Sequence, residues 1–396
     1  MPIFSIKDSK LRNRHPERKI RTLTIVLTDD CNLRCLYCYE KHEMREKRVI
    51  PFDLAIEAIS EYLNMEDTFD GVIVDFFGGE PLLQYELLKN IVEWCKVRTW
   101  KKDYHFMLST NGTLLNEEKK EWFAENKKIL TLSLSIDGNR TAHNITRNNS
   151  YDLISPHIDF VMKHWPFQPF KMTVTADTIP YVADSIIEME ERGLYFTANV
   201  VFEDIWGTPG NKEQLLKIYQ TQLDRLVDYY IENSHLYPVS PMLSVLPTYL
   251  GIPGLNMVDN SECIRYCGAG HEMVVVDTDG KKYPCHRFIP WILGKEFPIT
   301  PINQQTRWKP EECNECKIVQ SCPTCAGYNW EINNDSAVRT TYHCESHKME
   351  VMAAAKIAAY RLKKTPLSQF DSLPPDEKDF IYKKVNTLIE LMENGI

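Results

Sequence analysis

The chain has 396 residues, 43% hydrophobic and 26% charged, which suits a globular protein with one large domain and a smaller one. A net charge of −9 argues against nucleic-acid binding, and no apolar run approaches the ~20 residues that cross a membrane. The polar, basic start from Met1 to Arg21 lacks the apolar stretch of a signal peptide, so the chain is expected in the cytoplasm.

Residues 1–21 read as a basic N-terminal arm. Its run from Lys10 to Arg21 is either solvated or a grip for an acidic peptide. From Thr22 to about Ile231, strand-like and helix-like patterns alternate. The expected strands are Thr22–Leu27, Gly71–Phe77, Tyr104–Thr110, Leu130–Ile136, Phe170–Ala176 and Phe196–Val201. The expected helices are Phe52–Leu63, Tyr85–Thr99, Glu117–Asn126, Leu153–His164, Val182–Arg192 and Lys212–Ile231. Six βα units in a row predict a parallel sheet over residues 22–235, either doubly wound or an incomplete barrel. A connector with Pro238, Pro241, Pro247 and Pro253 covers 236–260, and a cysteine-rich stretch covers 261–345. Two helical patterns, Glu345–Lys364 and Pro375–Glu393, occupy the end, 346–396.

Of twelve cysteines, all but one sit in tight groups, which favours metal binding over disulfides in such a chain. Cys95 stands apart on one stripe with Leu88, Ile91 and Val92, which reads as a core thiol. Cys31, Cys35 and Cys38 lie in a CxxxCxxC run just after the first strand. Three thiolates can hold three irons of a [4Fe–4S] cube and leave the fourth iron open, whereas ordinary electron-transfer clusters have four cysteines. The rival is a structural zinc site, but zinc wants four ligands, and the nearest further one, His42, lies in a charged stretch.

That loop, with Tyr37 before the third cysteine, resembles the signature of the radical S-adenosylmethionine (radical SAM) superfamily. The resemblance implies a partial (β/α)6 barrel, with S-adenosylmethionine chelating the open iron and being cleaved to a 5′-deoxyadenosyl radical that abstracts hydrogen. Function in such barrels gathers at the C-terminal ends of strands. Gly78-Gly79-Glu80-Pro81 after strand two resembles the segment that contacts the cofactor's amino group. Ser109, Asn111 and Ser135 match polar positions near the cofactor, and Arg147 stands where relatives pair an arginine with its carboxylate. As plain local structure, these are a Gly–Pro turn, an Asn-Gly turn and a surface arginine.

The remaining cysteines run Cys263-x3-Cys267-x12-Gly280-x4-Cys285, then Cys313-x2-Cys316-x5-Cys322-x2-Cys325, then Cys344. The pattern resembles the SPASM extension of peptide-modifying radical SAM enzymes, with two residues instead of three between Cys322 and Cys325. The resemblance implies two auxiliary clusters, one on Cys263, Cys267, Cys285 and Cys325 and one on Cys313, Cys316, Cys322 and Cys344, so three [4Fe–4S] clusters in all. Without Cys263 an iron of the first cluster would be open to substrate, and zinc ribbons are the alternative.

Within that family, sulfatase maturases tend to carry an aspartate after the cysteine matching Cys285, where this chain has His286. The wording Tyr283-Pro-Cys285-His286-Arg287-Phe288 resembles thioether-forming (ranthipeptide-type) maturases of cysteine-rich ribosomal peptides. The expected partners are therefore a cysteine-containing precursor peptide and a flavodoxin- or ferredoxin-type reductant. Such maturases often carry a leader-binding domain of about eighty residues before the barrel, against about twenty here, so a separate leader-binding protein is expected. His286 is either a proton acceptor, since an unshifted histidine titrates near ~6.5, or a residue that supports a cluster ligand. Sulfatase maturation, carbon–carbon crosslinking and epimerisation are the alternative reactions, and an iron–sulfur electron carrier or zinc-ribbon module is the non-enzyme alternative.

Overall fold

The computed structural model describes residues 19–40, 47–207, 209–243, 267–297, 313, 316, 318, 322–364 and 375–394. The basic arm up to residue 18 and Cys263 lie outside the described residues.

Six parallel strands alternate with helices: β1 (Ile20–Thr28), β2 (Gly71–Gly78), β3 (Asp103–Thr110), β4 (Leu130–Leu134), β5 (Phe170–Val174) and β6 (Phe196–Val200). The buried run of β1, Leu23 to Thr28, is continuous because both faces of this central strand are covered. β1 to β4 pair side by side in chain order, and β5 pairs with β6. A parallel bridge from Ser135 to Lys171 joins the two sheets. A doubly wound sheet would reverse its order part-way. Here each strand lies beyond the last, so right-handed crossovers put every helix on one side and the sheet curls into a partial barrel.

The intervening helices are α1 (Phe52–Asn64), α2 (Tyr85–Lys96), α3 (Glu117–Glu125), α4 (Arg140–Thr146), α5 (Tyr151–Ile154), α6 (Ile158–His164), α7 (Val182–Glu191) and α8 (Pro209–Glu232). Their apolar stripes form one core with the strands; on α2 that stripe is Leu88, Ile91, Val92 and Cys95. The expected helix Leu153–His164 is broken: Pro156 starts a 3-10 turn at Ser155–His157, and α6 follows. α4 was not expected; it starts where Asn139 Oδ1 accepts from Ala142 N–H at 3.0 Å.

The sheet is wider than the sequence indicates. A two-residue strand, β7 (Ser240–Pro241), adds to β6 within the expected connector. β8 (Met273–Val276), from the cysteine-rich region, lies parallel to β1 on its free edge, and β9 (Lys282–Tyr283) folds back on β8. Beyond it, the short α9 (Pro290–Leu293) and α10 (Ala326–Asn333) precede α11 (Cys344–Lys364) and α12 (Pro375–Glu393). α11 packs along α8, where Glu350 Oε1 accepts from Tyr219 OH at 2.7 Å and Arg361 Nη2 donates to Tyr230 O at 2.7 Å. α12 closes on α11 through Ile381, Val385 and Leu388. Among the described residues no helix is long and apolar enough to cross a membrane.

Candidate active site

The loop after β1 carries Cys31, Cys35 and Cys38, and both its flanks are tied down. Asp29 takes the backbone N–H of Arg48 at 2.6 Å and its Nε at 3.1 Å. Leu36 N–H donates to Thr146 O at 2.9 Å, joining the loop to α4. The thiols lie close enough that Cys35 raises the pKa of both Cys31 and Cys38, and Cys31 that of Cys38, although burial is the larger cause. Burial pushes Cys31 and Cys38 up to about 12, and it raises Cys35 as well. Free thiolates are disfavoured in such surroundings, and a bound metal reverses that by taking the proton's place. Among the described residues no three of these side chains close to the spacing of a single bound ion. The donor set, three cysteines on one loop, is that of a cube with one open iron.

The Gly78–Gly79 turn after β2 lies against this loop. A Cβ on Gly79 would stand 2.2 Å from Asp30 O and 2.9 Å from Cys31 Cβ. Gly78 has φ +140°, and its Cβ would meet Thr28 O at 2.1 Å. Only glycine lets the backbone come this close. Glu80 is buried, and its carboxylate accepts from Thr110 Oγ1 at 2.6 Å, Asn111 N–H at 2.8 Å and Leu82 N–H at 3.0 Å. It thereby ties the turn after β2 to the end of β3. Asn111 Nδ2 donates in turn to Asn32 Oδ1 of the cysteine loop at 2.9 Å.

Ser109, Ser135 and Arg147 are placed less simply. Ser109 Oγ accepts from Lys171 Nζ at 3.0 Å. Ser135 N–H donates to Thr110 O at 3.1 Å at the seam between β4 and β5. Arg147 is turned inward. Its Nε donates to Asp137 Oδ2 at 2.7 Å and its Nη2 to the Tyr37 hydroxyl, which itself donates to Asp137 Oδ2 at 2.8 Å. The guanidinium expected at the cofactor's carboxylate is thus already engaged in fixing Tyr37. Asp137 is the hub here. An acid closing an apolar strand was its signal in the sequence.

Above the loop a cavity of about 380 Å³ opens at the barrel mouth. Its lining includes Leu36, Tyr37, Cys38 and Tyr39 from the cysteine loop, Asp177 after β5 and Glu203 after β6. The size lies within the ~300–1,000 Å³ usual for ligand sites.

The sequence profile described as the Radical SAM superfamily matches residues 25–164. The chain carries a radical SAM domain. A domain of this kind implies S-adenosylmethionine and a [4Fe–4S] cluster, and the donor set of Cys31, Cys35 and Cys38 fits such a cluster. A cysteine-type anaerobic sulfatase-maturating enzyme of Clostridium perfringens is 25% identical over 80% of this chain and 91% of its own length. The solved structure of native anSMEcpe with bound AdoMet and Kp18Cys peptide matches with a TM-score of 0.64 at 21% identity, over 84% of this chain and 97% of that one. Streptococcus suis SuiB bound to precursor peptide SuiA matches with a TM-score of 0.51 at 15% identity, over 84% and 78%. At those identities the structural likeness is one of fold.

Beside the radical SAM domain the C-terminal cysteines fall into two groups. Cys325 and Cys267 raise the thiol pKa of Cys285, and Cys267 raises that of Cys325, on top of burial, the larger cause, which pushes Cys285 beyond the ordinary thiol range. Cys313, Cys316, Cys322 and Cys344 form the other group, with Cys322 pushed up to about 12, again mainly by burial. Among the described residues no disulfide joins any of the cysteines.

His286 sits between the rings of Phe77, at 4.6 Å between centroids, and Tyr39, at 5.6 Å, both nearly parallel to it. Burial, then the positive charges of Arg287 and Lys171, push its pKa down to about 3. It is therefore neutral at physiological pH and a weak base. Its neighbour Arg287 is the residue the sequence reading passed over. Its guanidinium lies 4.2 Å from the Tyr39 ring centre, and Nη2 pairs with Glu203 Oε1 at 2.5 Å, so it braces the cavity wall. A Cβ on Gly327 would lie 2.5 Å from Arg287 Cβ, so the start of α10 also needs a glycine to pack here.

Proposed function

We propose that this radical SAM enzyme is a peptide maturase that takes hydrogen from a residue of a ribosomally made peptide and forms a crosslink, a thioether to cysteine sulfur. The observation that carries this reading is the cavity between the cysteine loop and the ends of β5 and β6, which gives a side chain a place beside Cys38 and Tyr37. When bound, the cluster and S-adenosylmethionine supply a 5′-deoxyadenosyl radical. The chain's own residues do the rest. Cys31, Cys35 and Cys38 hold the cluster, and the Gly78–Gly79 backbone, Ser109, Asn111 and Ser135 line the way to the cofactor. Tyr37, fixed by Asp137 and Arg147, and Tyr39, packed on Arg287, keep water from the reacting atoms.

The C-terminal region is read as a SPASM domain with two auxiliary clusters, one on Cys263, Cys267, Cys285 and Cys325, the other on Cys313, Cys316, Cys322 and Cys344. Clusters held there would supply an acceptor for the surplus electron of the coupling. A peptide substrate is supported by the peptides bound in the anSMEcpe and SuiB structures. A flavodoxin or ferredoxin is the proposed reductant, and a separate leader-binding protein the proposed second partner. Formylglycine formation is the second reading, favoured by the sequence similarity to the cysteine-type sulfatase-maturating enzyme. His286 weighs against it: where those enzymes tend to carry an acid, this chain has a neutral imidazole that suits an apolar wall.

The test is incubation of the oxygen-protected enzyme with S-adenosylmethionine, reductant and a cysteine peptide deuterated at the acceptor carbon. Deuterium in the 5′-deoxyadenosine is the expected result, and its absence refutes the abstraction step. A product that has lost two hydrogens and kept its sulfur is the thioether. One that has exchanged sulfur for a carbonyl is formylglycine.

A further inference from the structure

The group Cys313, Cys316, Cys322 and Cys344 has a neighbour that the proposed reaction does not use. His343 directly precedes Cys344 and is 7% exposed. Its Nε2 lies 3.0 Å from Pro323 O and 3.7 Å from Cys322 Sγ. A backbone carbonyl only accepts, so the ring proton must sit on Nε2. The same N–H then faces the Cys322 sulfur as a donor, shared between oxygen and sulfur. Nδ1, on the other edge, is buried and has no hydrogen-bond partner.

The donor is firmly seated. Arg339 Nη1 donates to Cys322 O at 3.1 Å and fixes the acceptor's backbone. One turn further along α11, His347 Nδ1 lies 3.1 Å from Glu350 Oε2, while Glu350 Oε1 holds Tyr219 of α8. Phe202 meets the His343 ring edge-on, with centroids 5.7 Å apart and planes at 88°. Phe202 in turn stands between Val201 and Glu203, both of which line the cavity. The imidazole is thus packed between a cysteine group and the back of the substrate wall.

We infer that His343 is a positioning residue that sets the reduction potential of the cluster held by this cysteine group. The inference rests on the auxiliary-cluster reading above. Hydrogen bonds to cluster sulfurs stabilise the more negative, reduced state and so raise the potential. With the carbonyl of Pro323 keeping the proton on Nε2, the ring serves as a donor to the ligand sulfur, not as a ligand. Its effect falls on the electron that leaves the substrate.

The experiment is an anaerobic redox titration of the holoenzyme, following each cluster's electron paramagnetic resonance signal, with iron per chain measured alongside. His343→Leu is expected to lower the midpoint potential of one auxiliary signal, leaving iron content and the other signals unchanged. His343→Gln, which keeps an N–H donor, is expected to recover part of the shift. Phe202→Leu, which leaves the histidine but loosens its seat, is expected to give a smaller shift in the same direction. An unchanged potential in His343→Leu at full iron content overturns the inference. Loss of one cluster's iron in both His343 variants also overturns it, in favour of a purely structural role. An unsubstituted protein without auxiliary signals overturns the cluster reading itself, and the inference with it.

Discussion

Asp137→Ala removes the anchor of the cysteine loop. Asp137 is fully buried, and its Oδ2 accepts from Arg147 Nε at 2.7 Å, Tyr37 OH at 2.8 Å and Thr146 Oγ1 at 2.9 Å. Its Oδ1 accepts from Thr173 N–H at 3.0 Å, across the seam to β5. Truncation leaves the Arg147 guanidinium buried without its counter-charge, a loss of ~3–5 kcal/mol for a buried pair. The orphaned Thr173 N–H adds ~1–3 kcal/mol, not strictly additively. A total of about 4–6 kcal/mol is a large share of the ~5–15 kcal/mol that holds a typical domain together. Equilibrium urea unfolding of the metal-free protein reads this directly. Iron uptake on reconstitution reads the loop, because Tyr37 loses its tether between Cys35 and Cys38. The pair Asp137→Ala/Arg147→Leu has neither charge and should regain part of the loss. A cost for Asp137→Ala below ~1 kcal/mol, or a double variant no more stable than the single one, would refute the reasoning.

Other outcomes are equally specific. Asp75 is partly buried on β2, and desolvation, opposed by Lys171 and a hydrogen bond with Thr24, pushes its pKa up to about 6. A carboxyl with a raised folded-state pKa favours the native state below its unfolded value, and that stability is lost as pH rises to about 6. Asp75→Asn should therefore be relatively more stable at pH ~7.5 than at pH ~4, by about 1–3 kcal/mol, in urea unfolding at the two pH values. Gly79→Ala should abolish iron loading at the first cluster, since its Cβ must displace Asp30 O or the cysteine loop; normal iron content would contradict that close packing. Cys95→Ala should cost about 1–2 kcal/mol as a core cavity, yet leave iron per chain and cofactor cleavage untouched. A loss of iron there would show Cys95 to be more than core.

The sequence was readable where burial is regular. β1 to β6 fall within two residues of their expected ends because apolar, β-branched runs flanked by helical stripes leave few alternatives. The order of those strands was not readable, since periodicity is the same in a doubly wound sheet and a barrel; the Ser135–Lys171 bridge and the in-order pairing decide it. β8 escaped because Met273–Val276 is only one short apolar run among cysteines, and its partner is β1, far away in sequence. At the site, the cysteines and the glycine turn could be identified from spacing alone. What spacing could not say is which polar groups are already occupied. Glu80 ties two strand ends, Arg147 is held by Asp137, and His286 is stacked between two rings; none of these pairings, from 10 to 247 positions apart, leaves a pattern in the sequence.

The edge that β8 supplies has a bearing on how this protein is made. Thr22 pairs with Met273 and Ile25 with Val276, so β1 waits for a neighbour synthesised about 250 residues later. At ~5–20 residues per second that is an interval of roughly 10–50 seconds. During it, β1 exposes an unpaired row of amides and carbonyls, an invitation to pair with another nascent chain. A fragment ending after α8 would keep that vulnerable margin permanently, so shortening the protein to its first barrel units should yield aggregates.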